Sequence, residues 1–488
     1  MSTKFPPRVA AATQFAATIT ATLALAGCGV PDLGPRPELR PPPSLASAAS
    51  ITGADAQWPQ QRWWTAYGDP QLDGLIDEAL KGSPDIATAA ARIAQAQGAL
   101  QSSRAALLPQ VGAQGSATME KQSYNNGTPA SALPKGWKDY GVLAVSADLN
   151  LDIWGKNRAL LAAATSATEA AVADARQTEL VLASEIVSSY FDLGRLLERQ
   201  KVLESTLGAR ENTAKLIGQR VETGIENQSS SRQSNALAAE ARGAVAANRE
   251  AIEKRRHALA ALLGAGPDRT LTLTPPPLDT IAATPVPADA GIALAGRRPD
   301  IVMARKLVEA ADKGVSYARK SFLPDISLSG LIGLSSLGLS HLFDDGSDYG
   351  NGGGAISLPI FQGGKLAGQY RMARAGYDTQ VASYNKTVIG ALQEVADALS
   401  SRTSAAEQER HAIDARTEAN AAYDLAFQRY RGGLNTYIDA LDVETTALNA
   451  RLAAVDAHFA TLASEVALQR ALGGGYAEES AKKASTDE

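Results

Sequence analysis

The sequence predicts a mainly helical chain with a minority of β-strand, built from two internal structural repeats. Three observations carry this. Two stretches, Lys156 to Ala265 and Lys365 to Leu472, contain no proline and are rich in Ala, Leu, Glu, Gln and Arg, all strong helix formers. Four shorter segments alternate apolar and polar residues with period two, the signature of strands with one apolar face. Short motifs also recur in the same order in both halves. Ser83-Pro84-Asp85-Ile86 matches Arg298-Pro299-Asp300-Ile301, and Leu108-Pro109 matches Leu323-Pro324. Leu151 and Ile153 match Leu358 and Ile360, Gly155-Lys156 matches Gly364-Lys365, and Arg220 to Gly224 matches Arg429 to Gly433.

The N-terminus carries Lys4 and Arg8, then a mostly apolar run ending Leu25-Ala26-Gly27-Cys28. A basic start, a short apolar core and small residues at its end describe a secretory signal, residues 1–27. Leu25 to Cys28 resembles the bacterial lipobox, which implies that Cys28 is acylated and becomes the first residue of the mature chain. Gly29 follows where an Asp would mark retention at the inner membrane, so the resemblance implies outer-membrane lipid. Cys28 is the only cysteine, which excludes an internal disulfide.

Residues 28–68 read as a lipidated, proline-rich linker that ends in an aromatic cluster, Trp58, Trp63, Trp64 and Tyr67, expected to pack against the body of the protein. Asp69-Pro70 reads as a helix N-cap followed by proline in the first turn, with a short helix to about Leu80. The first repeat spans 69–266 and the second 288–475, joined by a linker at 267–287 and followed by a polar tail at 476–488. Each repeat begins with a helix of about two dozen residues by the 3.6-residue period, Pro84 to Leu107 or Pro299 to Phe322. Two strand-like segments follow, and then a pair of long helices.

In Tyr140 to Ile153 the odd positions Leu143, Val145, Ala147, Leu149, Leu151 and Ile153 are apolar, while Ser146, Asp148, Asn150 and Asp152 are polar. In Asp325 to Ser335, Ile326, Leu328, Ile332 and Leu334 oppose serines. Gln110, Gln114, Ser116 and Thr118 oppose Val111, Ala113 and Ala117, and Gly354 to Ile360 puts Ile356, Leu358 and Ile360 on one side. Gly350, Gly352, Gly353 and Gly354 read as the entrance to this last strand, since no helix follows directly as a nucleotide loop requires. The segments have the roughly 9–11 residues that cross a bilayer as tilted strands. Trp154, Phe361, Trp137 and Tyr140 sit at their ends, where aromatic girdles occur. Four strands cannot close a barrel, and an open sheet edge cannot face lipid. Bacterial single-chain barrels start at about eight strands, so several chains must each contribute four, and three would give twelve.

Each long helical stretch breaks once, at Thr223-Gly224 and at Gly432-Gly433, and so reads as two antiparallel helices joined by a tight turn. Residues 157–221 alone would span roughly 100 Å. Gly224 and Ile225, with Gly432, Gly433 and Leu434, form the turns themselves, where glycine permits the positive φ of a tight helix exit. Just beyond the second turn, Asp439 and Asp442 lie three residues apart and share a helix face. The equivalent residues of the first repeat are Ser230 and Gln233, so an acidic ring of six carboxylates in a trimer would come from one helix type only.

Composition narrows the function classes. The net charge is -5, and no basic patch is interleaved with aromatics, so no nucleic acid is expected. His257, His341, His411 and His458 are scattered without partners at metal-ligand spacing, no nucleophile motif is present, and neither an enzyme nor a cofactor is expected.

Together these residues resemble the TolC-like outer-membrane efflux proteins, closest to the lipoprotein branch that serves resistance-nodulation-division pumps. The resemblance rests on the lipobox at Cys28, Trp63-Trp64 with Gly68-Asp69-Pro70, Arg298-Pro299-Asp300-Ile301 and Phe322-Leu323-Pro324. It also rests on Leu358-Pro359-Ile360-Phe361 with Gly363-Gly364, and Arg429-Tyr430-Arg431-Gly432-Gly433. It implies a trimeric twelve-stranded outer-membrane β-barrel, four strands per chain, continuous with a long periplasmic α-helical barrel. It also implies a passive exit duct for small toxic compounds, with a periplasmic adaptor and an inner-membrane pump as partners. The turns would meet the adaptor, Asp439 and Asp442 would form the periplasmic constriction, and Tyr430 would match the gate tyrosine. Asn435 stands where some members carry a locking arginine. An exit duct for type I protein secretion and a coiled-coil envelope lipoprotein are the competing readings.

Overall fold

The computed structural model describes residues 30–40, 58–125, 127–274 and 294–478. The signal sequence, Cys28 and the larger part of the 267–287 linker and of the C-terminal tail lie outside the described residues. The chain divides into two compact units, each described by itself. One gathers Met1–Leu39, Ile93–Ala171 and Ala304–Tyr384; the other gathers Arg40–Arg92, Val172–Met303 and Asn385–Glu488.

The longer helices follow the sequence closely. They are α1 (Pro70–Gly82), α2 (Pro84–Ala105), α3 (Lys156–Glu222), α4 (Gln228–Leu262), α5 (Pro299–Lys320), α6 (Lys365–Arg431) and α7 (Tyr437–Ala471). α3 and α6 are each 67 residues long, and α4 and α7 are each 35. α1 starts as its sequence dictates: the Asp69 carboxylate accepts from the Gln71 and Leu72 amides, and Pro70 occupies the first turn. α2 and α5 each end two residues before the expected boundary, because Leu107 and Leu323 turn back to bond Arg104 and Lys320.

The first unit holds a four-stranded antiparallel sheet, β1 (Gln110–Glu120), β2 (Lys138–Asn150), β3 (Asp325–Leu337) and β4 (Asp348–Ser357), in the order β1-β2-β3-β4. Residues directly opposite one another share a face. The register therefore joins Val111, Ala113, Gly115 and Ala117 with Leu143, Val145, Ala147 and Leu149. These lie beside Ile326, Leu328, Gly330, Ile332 and Leu334, and beside Gly350, Gly352, Gly354 and Ile356. That face carries no polar side chain over these positions. The opposite face carries Gln110, Gln114, Ser116, Ser146, Asp148, Ser327 and Ser329. Ile332 and Ile356 are 71% and 73% exposed, so this part of the apolar face is open among the described residues, while Leu339 and Leu342 approach it at Gly141.

β3 runs two residues past the expected Ser335, to Leu337, and β2 begins two before Tyr140, at Lys138; the larger differences from the sequence reading are the end of β2 and the span of β4. β2 was expected to reach Ile153 but ends at Asn150. Asp152 adopts φ 43, and its carboxylate accepts from the amides of Asn157 (2.8 Å) and Arg158 (3.0 Å), so this residue ends the strand and caps α3. Leu151 and Ile153 keep the alternation after pairing has stopped. β4 was expected over Gly354 to Ile360 but runs from Asp348 to Ser357, so the glycines lie inside the strand rather than at its entrance. Pro359 has no N–H to offer a ladder. Close approach accounts for one glycine of the neighbouring strand: a Cβ on Gly333 would collide with the Leu143 carbonyl.

In the same unit the proline-rich residues 30–39 lie against α5 and α6. The buried Arg374 donates to the Gly34 carbonyl (3.3 Å) and to that of Pro35, Arg36 pairs with Asp312 at 2.5 Å, and Leu33 packs on Val315 and Tyr370.

The second unit holds the main core. Trp63, Trp64, Leu72 and Ile76 pack on Leu182, Ile186, Tyr190 and Leu193 of α3, with Leu259, Phe459 and Val466 closing the cluster. This buries Trp63 and Trp64 of the aromatic segment, with Tyr67 packed against them. Tyr190 donates to Asp69 at 2.6 Å, tying the α1 cap to α3. Antiparallel pairing of α3 with α4 shows in Arg249–Glu204 (3.0 Å) and Arg242–Glu211 (2.8 Å). That of α6 with α7 shows in His458–Glu409 (2.6 Å) and Arg402–Glu465 (2.7 Å). An open groove of about 1040 Å³ lies between these four helices, lined by Ser184, Ser188, Asp192, Arg255, Asp397 and Ser401 among others.

Candidate functional site

The two helical turns have the same construction. At the end of α3, Gly224 takes φ +73, its amide bonds the Val221 carbonyl, and the Ile225 amide bonds the Arg220 carbonyl at 2.8 Å. At the end of α6, Gly433 takes φ +76, its amide bonds Tyr430, and the Leu434 amide bonds Arg429 at 2.8 Å. Both are Schellman caps, which satisfy helix-end carbonyls that would otherwise lack donors. Gly432 continues the helical bonding, to the Gln428 carbonyl. Asn227 and Thr436 then cap the next helices through the amides of Ser230 and Asp439. A residue in the Ile225 or Leu434 position commonly folds back on its own helix. Here Ile225 is 64% and Leu434 73% exposed, so each turn presents one apolar side chain to its surroundings.

Tyr430 is buried, one position inside the second turn, in a cluster with Ile217, Tyr437 and Ala440. Its hydroxyl donates to Glu226 Oε1 at 3.2 Å, and the Arg220 guanidinium lies 5.2 Å from the ring centre, close enough for cation–π attraction. Arg220 also approaches Glu226, at 3.9 Å. Burial pushes the Tyr430 hydroxyl above its ordinary value, and the neighbouring Glu226 carboxylate adds to the rise. Tyr437 stacks obliquely 5.8 Å away, its hydroxyl pushed up to about 12 by burial and by Glu444. Beneath it a largely buried ion pair, Arg210–Glu444 at 3.1 Å, joins α3 to α7, while Arg210 also donates to the Leu237 carbonyl of α4.

Asp439 and Asp442 stand apart from this cluster, both exposed on α7. The Asp439 carboxylate accepts from the Thr436 hydroxyl (2.7 Å) and amide (3.0 Å), and the Asp439 amide returns a bond to the same hydroxyl. This capping box holds the Asp439 carboxyl below its ordinary range, chiefly through the Thr436 hydroxyl. Within one chain Asp439 therefore has a helix-capping role, and Asp442 shares its face one turn on. Sequence reasoning named Tyr430 but missed its partners Arg220, Tyr437 and Glu226. The signal available was the repeat match of Arg220 with Arg429; nothing local marks Glu226, 204 residues from Tyr430.

Among the described residues no group of His, Cys, Asp and Glu could hold a metal ion, and no helix is long and apolar enough to cross a membrane.

The family model described as outer membrane efflux protein matches residues 75–265 and 293–474. The chain belongs to that family. Its members are channels of the outer membrane that carry out efflux, and that is the class of function of this chain. The multidrug resistance outer membrane protein MdtP of Escherichia coli K12 is 28% identical over 93% of this chain and 95% of its own length. The fusaric acid resistance protein FusA of Burkholderia cepacia is 33% identical over 74% of this chain and 69% of its own. The solved outer membrane protein VceC from Vibrio cholerae is 38% identical, with a TM-score of 0.81, over 86% of this chain and all of that one. Mainly helical architecture with a small four-stranded sheet is thus shared with solved channels of this family.

Proposed function

We propose that three copies of this chain close a twelve-stranded barrel in the outer membrane. The long helices then line a periplasmic duct through which small toxic compounds leave the cell. The observation that carries this is the sheet: four strands, two open edges, one face apolar through its middle with Ile332 and Ile356 exposed, and the other carrying Gln110, Gln114, Ser146, Asp148, Ser327 and Ser329. An open sheet with that pattern cannot exist alone in lipid, and closure by further copies satisfies both edges while keeping the polar face inward. The multidrug and fusaric acid resistance named for the relatives MdtP and FusA favours small-molecule efflux over protein secretion.

In this reading the chain is passive. An inner-membrane pump of the resistance-nodulation-division type drives transport, and a periplasmic adaptor meets Ile225 and Leu434 at the turns. Gly224, Gly432 and Gly433 shape those turns. Tyr430, Asp439 and Asp442 form the periplasmic gate, with Asp439 and Asp442 setting its charge. Acylated Cys28 adds a lipid anchor that assists delivery, while twelve strands bury far more apolar surface than a few acyl chains. Deleting the gene should raise the intracellular accumulation of a fluorescent dye in cells that hold the cognate pump, and restoring the gene should reverse it. Unchanged accumulation in the deletion strain, with pump activity verified, would overturn the efflux reading.

A further inference from the structure

The internal repeat, taken at the ends of its strands, points to how one copy meets the next. β1 and β3 are counterparts: each follows a Leu-Pro pair, Leu108-Pro109 or Leu323-Pro324, and begins at the next residue, Gln110 or Asp325. β2 and β4 are counterparts at their other end. They stop at Asn150 and Ser357, each directly before the leucine of the matched Leu151/Ile153 and Leu358/Ile360 pairs. Within the chain β2 pairs with β3, so the repeated relation is β4 of one copy with β1 of the next. We infer that this seam copies the β2–β3 register, placing Ile356 opposite Ala113 and Ala355 opposite Gln114 of the neighbouring copy. These pairs correspond to the observed Leu149–Leu328 and Asp148–Ser329. The inference rests on the trimer reading and adds its residue-level register.

Three independent features agree with it. The apolar faces coincide, with Ile356, Gly354 and Gly352 beside Ala113, Gly115 and Ala117; a slip of one residue would turn Ile356 toward the polar side. Asp348 comes opposite Lys121, a favourable cross-strand pair, at the end of the strands. Closure is also geometrically reasonable. A path straight across the sheet from Gln110 runs through Asp148, Ser329 and Gly353, and under this register reaches Ser116 of the next copy. The resulting stagger around three copies tilts the strands by about 45°, at the edge of the range for such barrels.

The competing register takes the offset of the helix starts, Lys156 and Lys365, and of the β1–β2 and β3–β4 hairpins, instead of the strand ends. It moves the seam by two residues and puts Ile356 opposite Gly115. That slip steepens the tilt to about 55° and removes the Asp348–Lys121 pairing.

Paired cysteines decide between them. Residues directly opposite have Cα atoms roughly 4.5–5.5 Å apart, within disulfide reach, whereas a two-residue slip adds about 7 Å along the strand and takes them out of reach. Ile356→Cys with Ala113→Cys tests the apolar face, and Ala355→Cys with Gln114→Cys tests the polar face, so that one pair suffices if the other misfolds. The shifted control is Ile356→Cys with Gly115→Cys, where a side chain meets Leu143 only at ordinary contact distance. After mild oxidation in outer membranes, the two predicted pairs should shift the band on denaturing non-reducing gels from one chain to three, and the control should not. Linkage by the control alone would overturn the register and keep the trimer. A native trimer mass without linkage by either predicted pair would also overturn the register. A single-chain mass for the unoxidised protein would overturn the trimer reading itself.

Discussion

Ile332 sits midway along β3, on the apolar face between Val145 and Gly350, and is 71% exposed in one chain. Replacing it with arginine separates lipid from water as the surroundings of that face. On the surface of a water-soluble protein, such a change alters stability by no more than about 0.5 kcal/mol. At the middle of a bilayer an arginine on the outward face of a strand costs about 2–4 kcal/mol. Three copies raise the cost to roughly 6–12 kcal/mol per trimer if the sites act independently. Ser329→Arg is the matched control, because Ser329 lies on the polar face of the same strand. The assay is folding into lipid vesicles from denaturant, scored by the trimer band that resists SDS without heating. Ile332→Arg should lower the folded fraction by at least tenfold at a denaturant concentration where Ser329→Arg retains wild-type folding. Equal behaviour of the two variants would refute the assignment of the apolar face to lipid.

Three further outcomes follow from the helical turns. Tyr430→Phe keeps the ring and removes the hydroxyl bond to Glu226, which should cost about 1–2 kcal/mol and speed amide exchange at Gly433 and Leu434 about 5- to 30-fold; unchanged exchange would reduce the cluster to packing. Ile225→Asp with Leu434→Asp should abolish dye export and adaptor crosslinking while leaving trimer stability within about 0.5 kcal/mol, since both side chains are exposed. Asp439→Ala with Asp442→Ala should remove block by divalent cations added from the periplasmic side of a planar bilayer. The Thr436 bonds hold the Asp439 carboxyl below its ordinary value, so its charge is lost only as pH falls through that lowered value, and the block should weaken there.

Much of this architecture is legible in the sequence because helices announce both their interior and their ends. The long proline-free runs set the lengths of α3 and α6, and Gly224 and Gly433 mark the exits, since only a residue tolerant of positive φ closes a Schellman cap cheaply. The strand faces are equally readable from the alternation of Leu143, Val145 and Leu149. The strand ends are less so. Leu151 and Ile153 continue the alternation past Asn150, and what stops the strand is the Asp152 carboxylate turning to α3, which no periodicity reports. β4 hides its first half because Gly350, Gly352, Gly353 and Gly354 present no side chains to alternate. The Tyr430 cluster was half visible. Its ring and helix position follow from the motif, but Arg220, Glu226 and Tyr437 meet it only when three separate helix ends converge.

The central claim is that one chain cannot complete the membrane channel and three can. Light scattering on the detergent-solubilised protein, with the detergent mass subtracted, tests it most directly. The protein component should weigh three chains, and the same fraction should open uniform conductances in a planar bilayer. A stable particle of one chain that conducts equally well would contradict the account.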